Sequence, residues 1–313
     1  MNASPELFDS TTDPESIKLG QSLARAMRLS AERMDRVIKE VRPTHIVATV
    51  SGGRDSAAEV QVAGELGVKI DLVLHCRTGT GIRQTTEHVV DHYGNLGPDF
   101  AMADAGTAYE EYVMRKGFFG IGRSAHNFSY RVLKATPMRK AISKHIRQGK
   151  RHVRVLLLNG ARASESENRQ RNLQEIRRDP AAPGNLWVNI IHDWTAGDRD
   201  RYLRLRQTPI NPVAIELCRS GECMCGTMQS EQVRCEAAAI YPEWGAWLNE
   251  LEQRARRKHG WGWGEPMPAP VDPRQFDMFQ PMCAGCASDE RSQADRASLA
   301  DASLTPADFG ERA

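Results

Sequence analysis

Thr44-His45-Ile46-Val47-Ala48-Thr49-Val50-Ser51-Gly52-Gly53-Arg54-Asp55-Ser56 decides the fold of this chain. Ile46 to Val50 is an apolar run rich in β-branched residues and reads as a buried strand. The run breaks at Ser51-Gly52-Gly53, and Asp55-Ser56-Ala57-Ala58-Glu59-Val60 reads as the start of a helix. Adjacent glycines let the backbone turn tightly and come close to a ligand. The free N–H groups of the helix start and the positive end of its dipole then face the break, and both favour a phosphate. Ser51 and Ser56 add hydroxyl donors.

Outward from this unit, the helix is predicted to run to Leu66, with Gly67 as the residue that ends it. Ile70 to Cys76 is the second strand. It ends in Arg77-Thr78-Gly79-Thr80-Gly81, at the carboxyl edge of the sheet where open α/β folds bind ligands. The pattern continues with a helix over 84–93, a weak strand over 99–103, a helix over 107–114 and a cationic helix over 139–147. Strands are predicted over 153–160 and 187–194. Before the first strand, Leu19, Leu23, Ala26, Met27, Met34 and Val37 recur at helical spacing from Pro14 onward, and Pro43 closes that segment. Strands alternating with helices predict an α/β fold, doubly wound, with a mostly parallel sheet, an N-terminal helix and a C-terminal helical region that carries a cysteine cluster. The expected divisions are a disordered 1–13, a helix over 14–42, the nucleotide-binding α/β domain over 44–212, the cysteine and helical region over 213–287, and a charged, disordered tail over 288–313. A long helix is expected over 230–259, interrupted at Pro242.

Composition narrows the class. The 313 residues carry 42 basic and 40 acidic side chains, so the overall balance selects no polyanionic partner. There is no apolar run of membrane-spanning length, and the first residues lack the basic and apolar regions of a signal peptide. The expected location is cytoplasmic. Seven cysteines in a reducing compartment point to metal binding or catalysis before disulfides. Cys218, Cys223 and Cys225 lie within eight residues, among glycines that permit a tight wrap, and Cys283-x-x-Cys286 is a second chelating pair. Two ligand sets follow: Cys223, Cys225, Cys283 and Cys286, which is preferred, or the local set Cys218, Cys223, Cys225 and Cys235. Thiolates suit zinc and iron–sulfur centres alike. Cys76 reads as a small buried hydrophobe, and the lone histidines His75 and His126 read as structural.

Gly160-Ala161-Arg162-Ala163-Ser164-Glu165-Ser166 follows a strong strand and brings Arg162, a planar phosphate fork, to the same sheet edge. The loop is not a Walker motif. S-G-G-x-D-S after a strand resembles the PP-loop of the ATP-pyrophosphatase (adenine nucleotide alpha-hydrolase) superfamily. The Gly160 to Arg169 segment, His75-x-x-Thr78-Gly79 and Asn211-Pro212 resemble its PAPS reductase branch. The chain lacks the Glu-Cys-Gly-Leu-His type motif of the assimilatory reductases. It is most similar to the ATP pyrophosphatases of DNA phosphorothioation systems of the Dnd/Ssp type.

This resemblance implies ATP bound by Val50, Ser51, Gly52, Gly53, Asp55, Ser56, Leu74, Gly160 and Arg162, with adenine near Val50 and Leu74 and Mg²⁺ near Asp55. Ser51, Asp55 and Arg162 would be the catalytic residues. It implies a [4Fe–4S] cluster, with zinc as the alternative, DNA as sulfur acceptor and a cysteine desulfurase as donor. Basic segments at 134–154, 169–178 and 199–206 would form a polyanion groove if they share the site's side. The readings kept beside this one are a PAPS or adenylylsulfate reductase and a non-catalytic nucleotide-binding scaffold. Oligomeric state is left open.

Overall fold

A computed structural model describes residues 14–150, 152–178 and 184–268. Its centre is a six-stranded sheet in the order β3-β2-β1-β4-β6-β5. The strands are β1 (His45–Val50), β2 (Leu72–Arg77), β3 (Asp99–Asp104), β4 (Val155–Asn159), β5 (Ile176–Arg178) and β6 (Asn185–Asn189). All neighbours pair in parallel except β5, which runs antiparallel to β6 at the edge. This is the doubly wound sheet expected from the sequence.

Strand periodicity explains the layers. Ile46 and Ala48 of β1 and Leu156 and Leu158 of β4 face one core, whereas Val47, Val155 and Leu157 face the other. Both faces are buried, so the strands read as continuous apolar runs rather than alternating ones. The first face is covered by α1 (Pro14–Val41), α2 (Arg54–Glu65) and α8 (Ala196–Leu205) through Leu23, Met34, Ala58, Val62, Tyr202 and Leu203. α3 (Arg83–Tyr93) packs Val89 and Tyr93 on Val50 and Val73. α6 (Thr136–Ile142) supplies Met138, Ala141 and Ile142 to the second face. α1 is locked down by polar contacts as well. Ser30 Oγ and Arg33 Nη1 both donate to the Ile190 carbonyl, at 2.7 and 3.1 Å.

A third core stands over the carboxyl edge. It joins α4 (Ala108–Lys116), α10 (Glu231–Ile240), α11 (Pro242–His259) and the cysteine loop through Tyr109, Phe119, Met224, Trp244, Leu248 and Trp263. Helices α10 and α11 are the expected long helix divided at Pro242. The predicted helix over 139–147 starts earlier. α5 (Arg123–Tyr130), a π-helical turn, α6 and a second π-helical turn follow one another to Arg147. The strand expected over 187–194 ends at Asn189, because residues 190–194 turn to place Ile190, Ile191 and Trp194 in the first core. The remaining helices are α7 (Glu167–Asn172) and α9 (Pro212–Glu216). Among the described residues no helix is long and apolar enough to cross a membrane.

Candidate active site

β1 and β4 are hydrogen-bonded neighbours, yet the chain leaves β1 toward β2 on the other side. Their carboxyl ends therefore form the topological switch point, where the connections part and where open α/β sheets bind ligands. Ser51–Ser56 rises from β1 into it, and Gly160–Arg162 rises from β4. The two loops touch closely: a Cβ on Gly160 would sit 2.5 Å from the Asp55 carbonyl oxygen and 3.0 Å from the Ser56 nitrogen. Only glycine lets the end of β4 come this near the first turn of α2.

The β1–α2 loop is held from several sides. Gly52 has φ +73°, and a side chain there would strike Thr85 at 2.8 Å. Gly53 occupies the position before α2 and, having no side chain, does not cap it. Ser56 Oγ donates to the Gly53 carbonyl at 2.9 Å and lies 3.4 Å from Ser51 Oγ, so both hydroxyls stand at the helix start. Asn211 Nδ2 donates to the Gly52 carbonyl at 3.0 Å, while Asn211 Oδ1 accepts from the Val213 amide and caps α9. Thus Asn211-Pro212, the start of a helix far along the chain, pins the β1–α2 loop.

Arg162 is buried and donates to Asp55 Oδ1 at 2.6 Å through Nε, and its Nη1 donates to Ser164 Oγ. Arg199 of α8 donates to the same carboxylate oxygen at 2.9 Å. Asp55 is expected beside Mg²⁺, and its carboxylate lies between the Arg162 and Arg199 guanidiniums and orients them. Burial lowers the pKa of Arg199, but bonds and charges from Asp200 and Asp55 outweigh it and raise the pKa. Leu74 and Val50, expected beside adenine, both bury their side chains in the core. The Val50 carbonyl is taken by His75 Nδ1 at 2.9 Å.

The cysteine loop forms the next wall. Asn211 Nδ2 and Thr85 Oγ1 both reach the Ser220 carbonyl, the latter at 2.5 Å. Glu222 is buried. It accepts from the Thr78 amide at 2.7 Å and lies 3.2 Å from Nε2 of fully buried His75. The loop that carries Cys223 and Cys225 is thereby tied to β1 and β2 within one hydrogen-bonded network. Cys223 Sγ donates toward Cys225 Sγ at 3.8 Å, and Cys225 Sγ lies 3.3 Å from Thr227 Oγ1 and 3.7 Å from Ser129 Oγ. That bond from Cys223 pulls the pKa of Cys225 down and pushes that of Cys223 up. Lys134 feels this pair, through Cys223, and its neighbours. Burial works against its ammonium, but Cys223, Cys76 and Glu222 outweigh burial and raise its pKa.

The local ligand set does not assemble. Cys218 and Cys235 are exposed, and among the described residues no three thiol sulfurs come within 4.8 Å of one another. Cys283 and Cys286 lie outside the described residues. Cys76 is half-buried, with burial pushing its thiol up to about 11. His75, read as structural, is so, but it also links the two loops. His126 is exposed, with Nδ1 3.2 Å from Thr227 Oγ1. The sequence reading missed Arg199, Ser220 and Glu222 as site residues. It also missed Glu59 of α2, which is fully buried beneath the loop. Burial raises its pKa well above the carboxyl range, and the nearby amides of Thr49 and Gly160 offset only part of that.

Residues 45–228 match the family model described as the phosphoadenosine phosphosulfate reductase domain. Among solved structures, the chain is similar to the phosphoadenylyl-sulfate (PAPS) reductase of Candida auris in a phosphate complex, at 14% identity. That match covers 66% of this chain and 94% of that one, with a TM-score of 0.42. It is similar to the NMN synthetase of Francisella tularensis at 13% identity, covering 80% and 99%, with a TM-score of 0.45. Yeast FAD synthetase in complex with FAD matches at 11% identity, covering 83% and 90%, with a TM-score of 0.44. No curated protein matches the chain.

Proposed function

Because the chain belongs to the phosphoadenosine phosphosulfate reductase domain family, we propose that it binds ATP at the switch point and splits it between the α and β phosphates, activating a substrate oxygen for replacement by sulfur. The observation that carries this reading is the uncapped α2 start, with Ser51, Ser56 and Arg162 around it, stapled through Asn211 and Thr85 to a loop bearing two thiols. A substrate oxygen forms a bond to the α phosphorus. The bond from that phosphorus to the bridging oxygen breaks, and pyrophosphate leaves with the electron pair. The loop amides, the Ser51 and Ser56 hydroxyls and Arg162 stabilise the charge that develops on pyrophosphate, and donors fixed in advance do this at little reorganisation cost. Asp55 acts by holding Arg162 and Arg199. Mg²⁺ enters with ATP. Sulfide-level sulfur then takes the place of the activated oxygen, which departs as part of AMP. DNA is the acceptor in this reading, as in phosphorothioate modification; a cysteine desulfurase delivers the sulfur as a persulfide, and a dithiol reductant supplies the two electrons that bring it to the sulfide level and is itself oxidised to a disulfide.

The thiols fit a metal. Two thiolates on one tetrahedral ion, at about 2.3 Å each, stand roughly 3.8 Å apart, the separation of Cys223 and Cys225. Cys283 and Cys286 are proposed to complete the set. The chain is close to the thiol loop at Met267, which lies against Gly120, while the Gly122 amide donates to the Thr227 carbonyl. The stretch from there to Cys283 spans up to about 50 Å, ample for a return. Resemblance favours [4Fe–4S], and the sulfur spacing favours one shared ion, for which zinc is the candidate. A cluster would supply electrons or sulfur, and zinc would fix the loop.

Protein purified without oxygen and assayed for pyrophosphate release from ATP, with and without DNA, tests the reading. DNA-stimulated pyrophosphate supports it. Sulfite released from PAPS, with no pyrophosphate from ATP, overturns it in favour of sulfonucleotide reduction.

A further inference from the structure

Residues 112–164 contain thirteen Lys and Arg and no Asp or Glu. The rest of the chain has twenty-nine basic against forty acidic residues, so a nearly neutral protein keeps its positive charge in one continuous stretch. The structure shows how that charge is displayed. Apart from Arg162, no cation of this stretch forms an ion pair with a carboxylate among the described residues. Elsewhere such pairs are frequent, as at Arg33, Arg77, Arg206 and Arg256. Arg123, Arg131, Lys140, Lys144 and Lys150 are exposed on the run from α5 through the second π-helical turn and just beyond it. Lys140 and Lys144 are four residues apart on this run and share a side.

The run borders the candidate site. His126 and Ser129 of α5 contact Thr227 and Cys225, and Lys134 of the first π-helical turn lies beside Cys223 and Glu222. A stretch with no carboxylate of its own, whose exposed cations pair with no carboxylate among the described residues, repels itself. Such a tract gains most from a dense line of negative charge. Its exposed large apolar side chains are only Ile121 and Tyr130, too few for the apolar face that a membrane-surface helix buries.

We infer that the helical run from Arg123 to Lys150 is the docking surface for a nucleic-acid backbone, which it leads past the thiol loop toward the switch point. The inference rests on the proposed reading for what happens at that site, but its binding test does not need turnover.

The experiment measures fluorescence anisotropy of a labelled DNA duplex and of its single strand across a salt series, using the full chain. Each phosphate neutralised contributes about 0.9 to the slope of log K against log salt on duplex DNA. The double variant Lys140→Gln/Lys144→Gln is expected to lower that slope by about 1.8 and to weaken binding about tenfold or more near 0.1 M salt. Basal pyrophosphate release without DNA should be unchanged. A matched double variant on exposed positions of α11, Arg254→Gln/Arg257→Gln, is the control and should bind as the parent does. The inference is overturned if neither probe binds at low salt, if both double variants lose affinity equally, or if vesicles containing phosphatidylserine bind while the nucleic acids do not. Salt-dependent binding without pyrophosphate release would sink the proposed chemistry and leave this surface standing.

Discussion

Substituting Gly160 by alanine adds a single methyl at the tightest contact of the switch point. The added carbon would meet the Asp55 carbonyl oxygen at 2.5 Å, its carbon at 2.7 Å and the Ser56 nitrogen at 3.0 Å. All three are backbone atoms, so no rotamer change relieves the overlap. An ordinary contact needs the end of β4 and the first turn of α2 to part by about 1 Å, and overpacking of this kind costs about 1–3 kcal/mol. The same shift moves Arg162, which follows Gly160 by two residues, against its partner Asp55. Misplacement by about 1 Å can lower turnover by about a hundredfold. Urea denaturation and pyrophosphate release from ATP are the two assays. Gly64→Ala, in the same helix, is the internal control. Nothing lies within 4 Å of its added methyl, and alanine inside a helix should stabilise by up to about 1 kcal/mol. If Gly160→Ala denatures within about 0.5 kcal/mol of the parent and retains full turnover, the close approach does not matter to the site.

Three other outcomes follow from the same geometry. Glu59 has a folded pKa above its unfolded value, so it binds protons more tightly in the native state. Stability should therefore fall as pH rises from the ordinary carboxyl range toward the folded pKa, and Glu59→Gln should raise the melting temperature at pH 8 but little at pH 4. Asn211→Asp keeps the acceptor that caps α9 but loses the donor to the Gly52 carbonyl. It should raise KM for ATP while Asn211→Ala also loses about 1 kcal/mol of stability from the cap, measured by denaturation. Metal analysis of anaerobically prepared protein should find that Cys223→Ser and Cys225→Ser strip the bound iron or zinc, whereas Cys218→Ser and Cys235→Ser keep it.

The sheet and the two loops were legible because they rest on local signals. Ile46 to Val50 alternates its burial between two faces, Gly52-Gly53 breaks the run, and Gly160 closes the next strong strand. What sequence reasoning missed is held by contacts between distant residues. Glu222 reaches Thr78 and His75 across about 145 positions, and Arg199 reaches Asp55 across 144. Neither has a local pattern, since a glutamate among cysteines or an arginine in α8 looks like ordinary surface. The end of β6 was overrun for a related reason. Ile190, Ile191 and Trp194 are apolar because a turn buries them under α1, and periodicity alone does not tell that turn from more strand. Asp55 reads from the sequence as an acid beside a cation, and the two guanidiniums on its carboxylate leave no local signal, because Arg162 and Arg199 lie 107 and 144 positions away.

Positional isotope exchange tests the central claim most directly, because it detects cleavage between the α and β phosphates even when nothing is released. ATP carrying oxygen-18 in the bridge between those phosphates is incubated with anaerobically prepared protein and DNA, and the recovered ATP is read by phosphorus NMR. The account predicts movement of the label into nonbridging positions of the β phosphate, lost in Ser51→Ala. Label retained in the bridge while ATP is converted to ADP and phosphate would contradict it.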